Sequence, residues 1–435
     1  LSAVEPALEM AGQGPDGPLW RYFQQEPDCA RHLSAMERAA AARRGSLSPA
    51  AVRAIYGERV SMTASRLERM RSCHFAYFME YGLRAKERKR AGFEAPEVGT
   101  FLHYLLENVN RDVKALGGYG QVSDDELRRM TKDYVSRYAA ERIDDFAHKS
   151  ARFRYLFTRL RETAYTIILN IAREMRQSDF QPVSFELSFG GRQGDLPAIT
   201  IQEDGARLSV SGKVDRVDGW LHEGKLYLRV VDYKTGKKSF DLTDIRYGLG
   251  IQMLLYLFTL EREGQSFFGH PIVPCGVLYQ PARDVILRQD RNISDEKLKA
   301  ALQSELRRTG LVLNDPQVLQ AMEHSALESP CYLPIGVKKD GSLSGSVATA
   351  AQLGHLGRYV DKLLHQITGE IAHGNIDADP YARGPQDSAC TYCPFAAACC
   401  FDEARDKRRP LRKTDSEEFW ALMEKTGEED RHGEN

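Results

Sequence analysis

Apolar residues recur with helical spacing on either side of a stretch, residues 183–234, in which they recur at every second position. A period of two belongs to strands and a period near 3.6 to helices. Helices, then a meander of strands, then helix and strand again predict a mixed α/β core with helical additions. Strands are expected at 183–189, 208–220, 225–234 and 273–280, with a turn at His222-Glu223-Gly224. An extended entry and helix cap at Ser61 to Ser65 leads into a helix through Leu67, Met70 and Cys73 toward Tyr77. Further helices are expected from Gly99 through Leu105 and Val109, over 124–176, over 243–263 and over 348–374. The charged 290–330 region reads as helical and peripheral, and no internal repeat is visible.

The 225–234 strand ends in Asp232-Tyr233-Lys234. Even-numbered side chains share one face, so Asp232 and Lys234 close the apolar stripe Leu226, Leu228, Val230. A turn centred between Glu223 and Gly224 puts Asp215, in Gly212-Lys213-Val214-Asp215-Arg216, directly opposite Asp232 and on the same face. Two adjacent carboxylates repel each other, and a divalent cation relieves that repulsion. A lysine beside them can hold a water or neutralise a phosphate, which suits phosphodiester hydrolysis. The competing reading is a surface hairpin with charged tips. His103 is a candidate third ligand with Glu107 one turn beyond it. Gln252 and Tyr256 form an i, i+4 pair on the helix after the lysine, and Glu186 is a weaker candidate.

Composition narrows the class without naming a partner. The 435 residues allow two or three domains. A net charge of −1 shows no basic excess of the kind that marks many nucleic-acid binders; the basic runs at 84–90 and 407–409 are offset by acidic segments near the C-terminus. No apolar run approaches ~18 residues and no signal-peptide pattern opens the chain, so a soluble, cytoplasmic protein is expected. The start at Leu1 reads as an excised domain or a processed chain.

Cys390, Cys393, Cys399 and Cys400 crowd into eleven residues, while Cys29, Cys73, Cys275 and Cys331 are scattered. In a cytosolic chain such crowding indicates metal or cluster ligation rather than disulfides. Cys390, Cys393 and Cys399 supply three thiolates, and a closed site needs a fourth. Cys73 is a better candidate than Cys400, whose thiolate adjoins that of Cys399. Spacing alone leaves zinc and iron–sulfur open.

Several segments, in order, resemble the C-terminal nuclease domain of the AddB family, the B subunits of bacterial AddAB helicase–nucleases, with a RecB-like PD-(D/E)xK nuclease signature. They are Ser65-Arg66-Leu67-Glu68 leading to Cys73-His74-Phe75, Tyr81-Gly82-Leu83 with Glu87-Arg88, and Gly99-Thr100-Phe101-Leu102-His103. Gly212-Lys213-Val214-Asp215-Arg216, Asp232-Tyr233-Lys234-Thr235-Gly236, Gln252-Met253-Leu254-Leu255-Tyr256 and the cysteine group follow. The family usually has Pro where this chain has His74.

The resemblance implies a restriction-endonuclease-like α/β core, with a mixed central sheet, flanking helices and an iron–sulfur staple joining the ends of the domain. Residues 1–60 would end a preceding helicase-like region or linker, 61–405 would form the nuclease domain with a helical insertion around 285–335, and 406–435 a charged tail. His103, Asp215, Asp232 and the Tyr233 carbonyl would bind Mg²⁺ or Mn²⁺, Lys234 would position the attacking water, and Gln252 and Tyr256 would support the lysine or the DNA backbone. Cys73, Cys390, Cys393 and Cys399 would hold a 4Fe–4S cluster. The implied activity is exonucleolytic cutting of single-stranded DNA, on the strand ending 5′, beside an AddA-type partner in double-strand-break repair. There is no G-x-x-x-x-G-K-[ST] loop for ATP. Alternatives are a DNA-binding scaffold with a vestigial site, and a stand-alone RecB-like exonuclease of CRISPR adaptation.

Overall fold

The computed structural model describes residues 17–41, 45–86, 95–143, 150–191, 194–285, 287, 293–404 and 406–433. The chain divides into two compact units, Leu1–Ser46 and Leu47–Asn435. In the first, helices α1 (Pro18–Gln24) and α2 (Pro27–Ala41) bury Trp20 and Leu33.

The second unit is built on strands β1 (Arg59–Met62), β2 (Gln181–Phe189), β3 (Ile199–Glu203), β4 (Ala206–Val210), β5 (Gly212–His222), β6 (Lys225–Lys234), β7 (Ile272–Pro281) and β8 (Thr309–Leu313). A mixed six-stranded sheet runs in the order Val347–Ala348, β8, β7, β6, β5, β2. β5 is antiparallel to β2 and β6, whereas β6 and β7 are parallel. A parallel pair requires a crossover, here supplied by α9 (Leu242–Arg246) and α10 (Gln252–Phe268), numbered after helices α3–α8 given next. Those are α3 (Pro49–Tyr56), α4 (Ala64–Ser72), α5 (His74–Tyr77), α6 (Ala95–Ala115), α7 (Asp124–Arg142) and α8 (Ala151–Met175). α6, α7 and α8 share a core of their own, including Phe101, Leu105, Ile168 and Ile171, which Tyr233 joins from the sheet.

The expected run at 208–220 is two strands. Ser211 breaks it by donating its N–H to Met62 O at 2.9 Å, so β4 pairs with β1 and β3 while β5 enters the main sheet. The expected helix at 243–263 is interrupted at residues 247–251, where Gly248 and Gly250 take positive φ (77° and 65°). The 124–176 helix is two helices, and residues 144–149 between them lie outside the described residues, as do 87–90 of the basic run and 286 and 288–292 of the 285–335 segment.

That segment is not wholly helical or peripheral. Between α11 (Asp295–Leu306) and α12 (Pro316–Met322) it contains β8, a buried strand of the main sheet. A side chain at Gly310 (φ 154°) would place Cβ 1.9 Å from Val277 O, so only glycine admits this approach of β8 to β7. In sequence that glycine looks like a breaker.

Boundaries also differ from the sequence expectation. β1 begins at Arg59 and pairs with β4, and Val52 of α3 lies in the main core, so residues 47–60 belong to the second unit. The long α13 (Ala350–Ala372) carries α15 (Ser416–Gly433), numbered after the short α14 (Ala396–Cys399), and Phe419 and Met423 of α15 are fully buried. The C-terminal region is therefore part of the core as well as charged.

Candidate metal centre

The β5–β6 register runs from His222↔Lys225 to Arg216↔Val231, and one further step along it brings Asp215 to Asp232. The Tyr233 N–H donates to Asp215 Oδ2 at 2.9 Å. Lys234 Nζ lies 2.7 Å from Asp232 Oδ2. From the first turn of α10, Gln252 Nε2 donates to Asp232 Oδ1 at 3.4 Å and to the Tyr256 hydroxyl at 3.1 Å. Tyr256 sits against Phe189, and a Cβ on Gly212 would lie 2.6 Å from the Phe189 ring and 2.7 Å from that of Tyr256. Glycine at that position allows the sheet and α10 to close at the site.

From the other side, α6 delivers His103. Its Nδ1 is 3.5 Å from Asp215 Oδ1 and 3.9 Å from Glu186 Oε1. Among the described residues, His103, Glu186 and Asp215 form the group whose three ligand atoms all lie within 4.8 Å of one another. Glu186, a weak candidate in the sequence, reaches this position through a left-handed backbone (φ 51°) in mid-strand and binds Lys213 Nζ at 2.5 Å. Non-glycine residues pay strain for such a φ and concentrate at functional sites. Glu107 lines the same cleft, of about 470 Å³, but pairs with Arg111 at 2.6 Å.

The electrostatics favour a bound cation. Burial, reinforced by the Asp232 charge, pushes the Asp215 carboxyl up to about 7 despite the counteracting His103 and Tyr233 N–H. Burial also raises Asp232, against the pull of Lys234. Burial would lower His103, but the Glu186 hydrogen bond and the Asp215 charge carry it above the usual histidine range. Two carboxyls this reluctant to ionise together, with an imidazole beside them, form an oxygen–nitrogen donor set suited to a divalent cation.

The PD-(D/E)XK nuclease superfamily profile matches residues 61–400, the span that contains every residue of this centre. The chain belongs to that superfamily. Its relatives include proteins named as the B subunit of an ATP-dependent helicase/deoxyribonuclease. The one from Acetivibrio thermocellus is 35% identical over 391 residues, 87% of this chain and 33% of the relative. That from Clostridium kluyveri is 33% identical over 380 residues (86% and 33%), and that from Ruminiclostridium cellulolyticum 31% over 431 residues (96% and 37%). This superfamily member thus spans about a third of the length of the relatives it matches.

The cysteines form a second constellation. Cys73 follows α4 and is buried in one apolar cluster with Ala76 and Phe395, against which Cys393 packs. Cys390 and Cys393 are near enough for the charge of one to raise the other, burial being the larger cause of the upward shift at Cys390. A zinc tetrahedron with Zn–S near 2.3 Å needs sulfurs about 3.8 Å apart. No three of the thiols lie within 4.8 Å of one another among the described residues, a spread that suits a larger inorganic core better than a single ion. Cys400 is exposed, with its backbone left-handed at φ 46°.

Sequence reasoning missed a buried ion network behind the centre in this superfamily member. Arg216 Nη2 and Arg229 Nε both donate to Asp218 Oδ2 at 3.0 Å. Arg229 Nη2 donates to Glu174 at 3.0 Å, and Arg308 binds Glu174 and, at 2.6 Å, Asn170. All five ionic side chains are at most 1% exposed. The available signal was the parity of Arg216, Asp218 and Arg229, charged residues at strand positions whose faces are both covered.

Among the described residues no helix is long and apolar enough to cross a membrane.

Proposed function

We propose that this chain is the nuclease part of an AddB-type subunit: a divalent-metal-dependent exonuclease that hydrolyses phosphodiester bonds in single-stranded DNA. The observation that carries this reading is the opposition of Asp215 and Asp232 at the ends of two paired strands, with Lys234 at 2.7 Å. His103, Asp215, Asp232 and the Tyr233 carbonyl would hold Mg²⁺ or Mn²⁺, and the raised carboxyl of Asp215 fits that role. When bound, the cation supplies charge neutralisation and polarisation at the scissile phosphate. Lys234 holds the attacking water or offsets phosphate charge. Gln252 fixes the orientation of Asp232 through Oδ1 and is itself fixed by Tyr256.

Cys73, Cys390, Cys393 and Cys399 would carry a 4Fe–4S cluster with a structural role, tying α4 to the segment after residue 388. The shared apolar cluster of Cys73, Cys393 and Phe395 supports this. The names of the relatives support a cytoplasmic setting beside an AddA-type helicase–nuclease partner, acting on the strand that ends 5′ during double-strand-break processing. The test is cleavage of single-stranded DNA labelled at either end, by the full chain with Mg²⁺ or with chelator. Metal-dependent shortening is expected; intact DNA under both conditions, with the partner protein added, would remove the nuclease reading.

A further inference from the structure

The β5–β6 ladder stops at Arg216↔Val231, yet each strand stays paired with its outer neighbour beyond that point. β2–β5 continues to Phe189↔Gly212, and β6–β7 to Lys234↔Pro281. β5 and β6 therefore fork where Asp215 and Asp232 stand, and backbone hydrogen bonds do not set the width of the fork.

Side chains bridge it on both faces. On the carboxylate face the Tyr233 N–H holds Asp215 at 2.9 Å. On the opposite face the Tyr233 ring is buried, and its phenol oxygen accepts from Arg216 Nη1 at 3.2 Å and from Asn110 Nδ2 at 3.3 Å. Arg216 follows Asp215 and Tyr233 follows Asp232, so the residue after one carboxylate is bonded to the residue after the other. Asn110 is itself fixed by the Tyr119 hydroxyl and the Leu106 carbonyl, on the helix that carries His103.

We propose that the Arg216–Tyr233–Asn110 link is a positioning device that sets the spacing of Asp215 and Asp232 and the approach of α6. It ties three of the donor-bearing segments to one phenol oxygen. The inference rests on the reading that these carboxylates hold the cation. The rest of the buried network anchors Arg216, through Asp218, to Arg229, Glu174 and Arg308, so the guanidinium cannot swing away without breaking a buried ion pair.

The test is Mn²⁺ affinity, read by electron paramagnetic resonance on the full chain without DNA, beside thermal unfolding. Tyr233→Phe keeps the ring and removes the oxygen. It is expected to weaken Mn²⁺ binding about tenfold, as losing a group that orients metal ligands does, and to lower kcat with KM for DNA unchanged. Asn170→Ser removes a contact at the far end of the network and is expected to lower the Tm with Mn²⁺ affinity unchanged. Wild-type Mn²⁺ affinity in Tyr233→Phe overturns the proposal, as does weakening in both variants in proportion to their loss of Tm. Should Tyr233→Phe not fold, Asn110→Ser removes one of the two donors and carries the same test with a smaller expected loss. A wild-type chain that binds Mn²⁺ but cuts no DNA removes the nuclease reading and leaves this one standing; one that binds no Mn²⁺ overturns both.

Discussion

Asp379 holds His74 twice, accepting its backbone N–H at 2.9 Å and meeting its ring Nδ1 at 2.8 Å. Nε2 meets Glu370 at 3.1 Å, and Glu370 in turn binds Arg71. Residue 74, where the family usually has proline, thus joins the segment after α4 to the C-terminal part of the unit by charge as well as by packing.

A pH dependence follows from this contact. Burial would lower the His74 ring, but its bonds to Asp379 and Glu370 win and push it up to about 9. A histidine raised in the folded state stabilises fully below its unfolded value, about 6.5, and loses that contribution as pH rises through the folded value. Urea midpoints of the wild type should therefore fall between about pH 6.5 and pH 9, and His74→Gln should lack that part of the fall. Parallel curves for the two proteins would contradict the ion-pair account.

Asp218 lies fully buried between Arg216 and Arg229. Removing one partner of a buried pair strands the other charge and costs about 3–5 kcal/mol. Asp218→Ala should lower unfolding free energy by that order, measured by equilibrium denaturation, whereas Asp28→Ala, in an exposed pair, should change it little.

Asp215 gives a dependence that involves metal. Its carboxyl is raised to about 7 from an unfolded value near 3.8. Its contribution to stability is therefore complete below about pH 4 and is lost as pH rises through about 7. Metal-free protein should lose stability across that window, and Mn²⁺ should restore it most strongly at the upper end, where the ligands are deprotonated. Thermal unfolding across pH with and without Mn²⁺ reads this directly; a metal effect that shrinks toward pH 7 would count against it.

The hairpin register is legible in the sequence because strand alternation and a two-residue turn leave few choices, and it delivers the opposition of Asp215 and Asp232. His103 can be nominated from its helix but not placed, since no local pattern reports how α6 meets β2. Glu186 stays a weak candidate in sequence because nothing there signals a left-handed residue inside a strand. β8 is hidden by its glycine, which packing against β7 requires and local propensity disfavours. The buried arginines carry no local sign of burial, because it is pairing at long range that turns a charged strand position into a core position.

For the cysteines, anaerobically purified wild type should carry about four irons per chain with matching sulfide, as a cubane cluster does. Cys73→Ser should lower that content, and by the loop-closure argument losing the link could remove on the order of 5 kcal/mol. Zinc in place of iron would overturn the cofactor assignment, and thermal unfolding indifferent to cluster removal would overturn its structural role.

The most direct test of the central claim compares Mg²⁺-dependent cleavage of labelled single-stranded DNA by the wild type, Asp232→Ala and Lys234→Ala, with iron content and circular dichroism measured on the same samples. Abolished cleavage in both variants, with iron and fold retained, is the expected result. Undiminished cutting by both, in preparations free of contaminating nuclease, would show that the chemistry lies elsewhere.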